Sequence, residues 1–424
     1  MALESPPTAL PISVAAPPLS RARGRDIGLL FATRSLRLFG YGMLSVVLAL
    51  YLGEVGISDA KIGLMFSLIV VGDTLVTLPI TTHADRRGRR RMLILGALLM
   101  VFAGVVFAAT RNYWVLLAAA IIGVISHTGS EIGPFLSIEQ AALSEAVSDA
   151  QRTHVFAWYT LAGSGFTALG ALFGGAAVGL VQHFGYSKLA GFQVVILAYA
   201  ALGLVLAGLF ALVSPAVEIS KEHPKPSGPV FLGLHKSKKV VFKLSALFSL
   251  DAFAGGFVVQ ALMALWFQKR WNLDITSLGL MFFCANILAG FSAFVAVPMA
   301  KKYGLIETMV YTHIPSNILL ILVPLMPTWQ WAVAMLLLRF SISQMDVPTR
   351  QAYTMAVVDP DERSAAAGIT GVARSAGSSI SPTVAGLLLA AAVPTGAIFY
   401  LSGGLKIVYD LLLYRSFKKS GAKD

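Results

Sequence analysis

The sequence predicts an all-α membrane protein with twelve transmembrane helices, arranged as two pseudo-symmetric six-helix bundles. Three observations carry this. Of 424 residues, 56% are hydrophobic and only 13% charged, with a mean hydropathy of +0.75, too apolar for a water-soluble globule of this length. Apolar stretches recur twelve times, each near or above the roughly 20 residues that let a helix cross a hydrocarbon core about 30 Å thick. Short motifs also repeat between the two halves of the chain.

In chain order, residues 1–25 hold Pro6, Pro7, Pro11, Pro17 and Pro18 and close on Arg21, Arg23 and Arg25. With no apolar core and cleavage site standing out, they read as a disordered cytoplasmic tail rather than a signal peptide. The first bundle, 26–213, has apolar spans at about 28–53, 61–82, 91–110, 113–147, 154–181 and 188–213. Residues 214–240, with Pro215, Pro224, Pro226, Pro229 and five lysines, form a cytoplasmic linker. The second bundle, 241–416, has spans at about 241–267, 276–300, 305–326, 329–357, 364–392 and 396–415, and 417–424 is a C-terminal tail.

The net charge of +12 raises the question of nucleic acid, but the basic residues sit in short turns between spans. Counting residues at span edges with the face they adjoin, 21 Lys and Arg fall on the side of the termini and 5 on the other. That asymmetry places both termini in the cytoplasm and makes the lipid bilayer, not nucleic acid, the partner. The plasma (inner) membrane is the expected location. The one cysteine, Cys284, lies in an apolar run and reads as a small core residue, which leaves no disulfide framework and no cysteine metal cluster.

The halves match in register. Ile62-Gly63-Leu64-Met65-Phe66 recurs as Leu278-Gly279-Leu280-Met281-Phe282, and at the same offset Gly88 meets Gly304. Further on, Glu139-Gln140-Ala141 faces Arg350-Gln351-Ala352, and Arg152 faces Arg363. Between the second and third spans, Asp85-Arg86 followed by Gly88-Arg89-Arg90 resembles the loop signature of the major facilitator superfamily, with Thr81 where the signature opens on glycine. The resemblance covers about residues 26–416. It implies two six-helix bundles around a central cavity, a secondary transporter that rocks one bundle against the other, and a conformational latch formed by Asp85, Arg86, Gly88, Arg89 and Arg90 at the cytoplasmic end of the eleventh span.

Charges inside spans are costly and mark candidate sites. Arg34, Arg37 and Tyr41 form one stripe on the first span and could hold an anionic group, although the arginines, Arg34 before the deeper Arg37, could instead snorkel to the headgroups. Asp73 lies twelve residues, roughly 18 Å along a helix, from Asp85 and so near mid-membrane. In the fourth span Gly129, Gly133 and Pro134 invite a kink or an unwound turn. His127 and Glu131, one turn apart, could share a proton. With Glu139 and Asp73 they are the proton-coupling candidates, unless these groups are structural. Arg339, Asp346 and Arg350 superpose on one face of the tenth span up to a bend at Pro348. Glu139 and Arg350, opposite in charge at matching repeat positions, could pair between the halves as a gate or each pair within its own half. Asp251 and Arg374 are further cavity candidates, and Lys406 is expected to neutralise Asp410 one turn away.

In the fifth span Gly163, Gly165, Gly170, Gly174, Gly175 and Gly179 suit close helix packing, but the family's antiporter signature fits there with two mismatches, at Gly175 and Val178. No phosphate-binding loop, activated serine or metal-binding helix motif occurs, so no cofactor, no metal and no enzymatic activity are expected. The reading is a monomeric secondary transporter of a small solute. Proton-coupled efflux comes first, organic-anion movement on Arg34, Arg37, Arg339 and Arg374 second, and a non-transporting receptor on the same scaffold third.

Overall fold

In the computed structural model the described residues are 21–147, 149–214, 234, 236–359, 362–391 and 396–418. The tail 1–20, most of the linker and the last six residues lie outside them. Among the described residues the chain is helical throughout, in sixteen α-helices. The first half contains α1 (Arg21–Glu54), α2 (Asp59–Arg87), α3 (Arg89–Ala109), α4 (Tyr113–Ile122), α5 (Phe135–Ala146), α6 (Asp149–His183) and α7 (Lys188–Ala211). The second contains α8 (Lys238–Gly256), α9 (Gln260–Trp271), α10 (Ile275–Tyr303), α11 (Leu305–Leu322), α12 (Trp329–Phe340), α13 (Asp346–Ala356), α14 (Arg363–Ser378), α15 (Ser381–Ala390) and α16 (Ala397–Phe417).

Nine of the described helical stretches are long and apolar enough to cross a membrane, α8 and α9 counting together as one. Pairs α4/α5, α12/α13 and α14/α15 occupy the fourth, tenth and eleventh expected spans, each broken by a non-helical junction. The break expected around Gly129 and Pro134 runs from Gly123 to Pro134, with Gly129 and Gly133 at φ 72° and 78°. In the tenth span the bend sits at 341–345, before Pro348 rather than at it. Proline lacks an N–H and is tolerated in a first helical turn, so α13 starts two residues ahead of it.

Polar side chains set several helix starts. Asn112 accepts hydrogen bonds from the amides of Trp114 and Val115, and Asp274 accepts from Ser277. Asp274 is held below the usual carboxylate range by those hydrogen bonds, which outweigh its slight burial. Gly88 and Gly304 join α2 to α3 and α10 to α11 with nearly the same positive φ, 101° and 95°. Only glycine adopts that region freely, so the repeat noticed in the sequence is a repeated turn.

The packing is duplicated as well. In the first half α1 lies against α6 and α3 against α7; in the second, α8 lies against α14 and α11 against α16. Each half begins and ends on the same side of the bundle. Ser214 donates its amide to Asp26 at 3.1 Å, and Lys243 lies over the ring of Phe417 at 5.1 Å. At the opposite end the halves meet, α2 on α15 and α6 on α10. The two repeat glycines make those contacts possible. A Cβ on Gly63 would stand 2.8 Å from the Cα of Gly386, and one on Gly279 3.1 Å from the Cα of Gly175. With the carbonyl oxygen of Ala171 at 2.8 Å from the Gly279 position as well, neither glycine can take a side chain without the opposite backbone moving.

Candidate functional site

Two buried charge clusters lie on the inner helices, one in each half, with opposite polarity. In the first half Arg37, fully buried on α1, donates from Nη1 and Nη2 to Glu139 on α5 at 2.9 and 2.7 Å, and from Nε to Glu131 at 2.7 Å. Such fork-shaped pairing fixes orientation as well as charge. Thr33 and Tyr159 complete the shell of Glu139 at 2.9 and 2.5 Å. Arg34 lies 3.1 Å from Glu131 with its guanidinium over the Tyr159 ring, so it points into the bundle rather than toward headgroups. Tyr41 donates to the carbonyl of Ile132. The stripe on α1 therefore serves this protein's own carboxylates and its unwound fourth span.

In the second half the central group is Asp251 on α8. Lys406 on α16 approaches it to 2.6 Å, Arg350 on α13 to 3.0 Å and Arg374 on α14 to 3.2 Å. Arg350 also holds Asp346 at 2.9 Å. Arg339, on α12, has no carboxylate within 4.0 Å among the described residues, and its Nε has no hydrogen-bond partner there. Arg374, with 35% of its side chain exposed, is the most accessible cation of the cluster.

Several sequence expectations change accordingly. Of the two arrangements expected for Glu139 and Arg350, this structure holds the one within each half: Glu139 pairs with Arg37 and Arg350 with Asp251, each on the first helix of its half. Lys406 reaches across to Asp251, while Asp410 lies 2.8 Å from Nδ1 of His313 and accepts from Asn317 at 3.3 Å. His127 is not hydrogen-bonded to Glu131 in this structure. The helical spacing behind that expectation is absent where the backbone is unwound, and His127 instead stacks on Phe66 at 4.7 Å with no hydrogen-bond partner for its ring nitrogens among the described residues. Asp73 meets neither Arg34 nor Arg37 but accepts from the amide of Gly133 at 2.7 Å and the hydroxyl of Thr77 at 3.1 Å, bracing the unwound segment. Of the basic turn, Arg89 is buried and Arg90 half-buried, whereas the side chains of Asp85 and Arg86 fall outside the described ones.

Between the clusters, uncharged groups join the halves. Gln260, at the start of α9, donates to Ser45 on α1 at 2.7 Å and accepts from Asn286 at 3.3 Å. The amide of Ala261 donates to the carbonyl of His127 at 3.2 Å, so a donor left over at a helix start is satisfied by the opposite half. Sequence reading missed this bridge because it carries no charge; the signal available was a lone amide, Gln260, in an apolar run.

A cavity of about 490 Å³ opens at the end opposite the termini, beside an ion pair of Asp59 on α2 with Lys269 on α9 that bridges the halves. Lys269 is 37% exposed, so the pair is worth about 1 kcal/mol at most. Reversing either charge alone is expected to weaken closure at this end several-fold, and exchanging both to restore it. Interspin distances across the end check this; unequal distances in parent and exchanged protein would remove the pair from the closing contact.

A family model described as Major Facilitator Superfamily matches residues 30–340 and 246–423. An uncharacterised membrane protein of Saccharomyces cerevisiae is 29% identical over 432 residues, covering 95% of this chain and 96% of its own. Among solved structures, a bacterial homologue of the human lysosomal transporter Spinster, inward-facing and unoccupied, superposes with TM-score 0.72 at 15% identity over 94% of this chain and 98% of its own. The nucleoside transporter NupG gives 0.72 at 12% over 92% and 100%. The human organic anion transporter MFSD10 gives 0.62 at 16% over 92% and 99%.

Proposed function

Because the chain belongs to the major facilitator superfamily, we propose that it is a proton-coupled secondary transporter that carries a small organic anion by alternating access. The fold leaves the solute open, since solved structures that share it include both a nucleoside transporter and an organic anion transporter. The charges have to choose. The second-half cluster sets four cations, Arg339, Arg350, Arg374 and Lys406, against three carboxylates, Asp251, Asp346 and Asp410. An excess positive charge in a low-dielectric site favours an anion. Efflux of an uncharged amphipathic compound, the reading the loop signature suggests, would leave that excess without a partner in its own half.

With the termini cytoplasmic, contact between the halves at the far end corresponds to a state closed on the side away from the cytoplasm. The reciprocal state would break the contacts of Gly63 and Gly279, the Asp59–Lys269 pair and the Gln260 bridge, leaving the two charge clusters intact within their halves. The turn at Gly88 and its arginines would then latch the cytoplasmic end.

Counterflow in proteoliposomes tests this, with monocarboxylates, dicarboxylates and neutral amphiphiles offered separately, with and without a pH gradient. Carboxylates alone should exchange, and accumulate only with the gradient. Arg374→Gln should lower exchange about 10- to 100-fold, the loss of one charge-assisted contact. Exchange of neutral amphiphiles alone would overturn the anion reading. Ligand-dependent thermal stabilisation without any turnover would point to a receptor.

A further inference from the structure

We propose that His313 and Asp410 form a proton-binding site, and that its occupancy decides which carboxylate holds Lys406 and so how free Arg374 is to meet an anion. The pair is buried between α11 and α16, with side chains 5% and 1% exposed. His313 Nδ1 lies 2.8 Å from one oxygen of Asp410, and Asn317 donates to the other at 3.3 Å. Histidine is the side chain whose charge changes most readily near neutral pH. A carboxylate out of water needs a compensating charge, and His313 can supply it only when protonated.

The second observation is Lys406. It precedes Asp410 by one turn of α16, and residues so spaced are neighbours on a helix surface. Lys406 thus stands between two carboxylates, Asp410 on its own helix and Asp251 on α8, and it now holds Asp251 at 2.6 Å. With a proton on His313, Asp410 is neutralised and Lys406 stays where it is. Without that proton, Asp410 carries an unmatched buried charge and draws Lys406 back by one turn. The lysine stem covers that distance with no movement of the helix.

Asp251 feels the exchange directly. While Lys406 occupies one oxygen, Arg350 and Arg374 share the other, at 3.0 and 3.2 Å. Once Lys406 leaves, Asp251 is balanced by the arginines alone and holds Arg374 more tightly. Proton binding therefore frees the half-buried Arg374 guanidinium, and proton and anion load together. Tyr409 on α16 sets its ring edge-on to His313 at 6.1 Å; other charges on the helices packed around α11 are Arg339 on α12, Asp346 and Arg350 on α13, Arg415 at the end of α16, and Lys301 and Lys302 at the end of α10, with Glu307 on α11 itself. Asp346 is engaged by Arg350, and of the described carboxylates only Asp410 comes within 4.0 Å of His313. The final step rests on Arg374 as the anion contact, whereas the proton site does not.

The test needs no solute. Purified full-length protein in detergent is treated with phenylglyoxal at pH 6 and pH 8, and modification of Arg374 is read by peptide mass spectrometry against exposed Arg111, which corrects for the reagent's own pH response. The ratio should be roughly threefold higher at pH 6. His313→Gln should hold it at the pH 8 value at both pH values, and Asp410→Asn at the pH 6 value. A parent ratio that does not change with pH overturns the proposal, as does either folded variant that keeps the parent's response. Failure of counterflow with carboxylates would remove the anion and leave this site standing, so the two readings fail separately.

Discussion

Glutamine in place of Glu139 is expected to cost the folded protein about 3–5 kcal/mol, because it leaves a buried guanidinium without its fork-shaped partner. Glu139 and Arg37 are both fully buried. The carboxylate takes two bonds from Arg37 and one each from Thr33 and Tyr159, all as acceptor. A glutamine amide offers one oxygen and turns hydrogens toward these donors. Glu131 still holds Nε of Arg37, which keeps the loss finite. The double variant Arg37→Leu with Glu139→Leu removes both charges and should lie within about 2 kcal/mol of the parent, since apolar replacement of a buried pair is often neutral. Thermal unfolding in detergent separates the outcomes. A single variant as stable as the parent would show that the pair does not hold the first bundle together.

Leucine at Gly279 or Gly63 is expected to act differently, leaving each half intact while preventing them from meeting. A Cβ at Gly279 would sit 2.8 Å from the carbonyl oxygen of Ala171 and 3.1 Å from the Cα of Gly175, both in the opposite half. Overpacking of this kind costs roughly 1–3 kcal/mol, which as a shift between two conformations is about 5- to 150-fold. Transport should fall by a comparable factor with little change in unfolding temperature. Spin labels at Glu54→Cys and Arg270→Cys in a Cys284→Ser background should move apart in either leucine variant. An unchanged distance distribution would mean that the glycines are not the closing surface.

Much of the architecture was legible because it follows from solvent and chirality. Apolar length marks spans, and positive φ marks glycine, so Gly88 and Gly304 announced their turns. The matched Gly63 and Gly279 signalled a repeat, although their reason, contact with Gly386 and Gly175 across the halves, needs three dimensions. The site was less legible. The buried charges of the two clusters could be named from the sequence, but partners could not be assigned from helical spacing where the helix is broken or where a helix from elsewhere supplies a nearer carboxylate. His127 lost Glu131 for the first reason, and Lys406 lost Asp410 to Asp251 for the second. Asp59 and Lys269 looked like ordinary charges at span ends. Gln260, Asn286 and His313 stood alone in apolar runs, with nothing in the sequence to show that other elements converge on them.

The bond from the Ala261 amide to the His127 carbonyl has a consequence of its own. It joins the halves through main chain alone, so any motion that parts them at this point must break it, at a cost of about 0.5–1.5 kcal/mol that re-forming the bond returns. Nineteen of the twenty amino acids at position 261 leave that donor in place. Proline alone removes it, and in the first turn of α9 proline leaves the helix itself undisturbed. This part of the resistance to opening is therefore set by the path of the backbone and is shielded from side-chain drift.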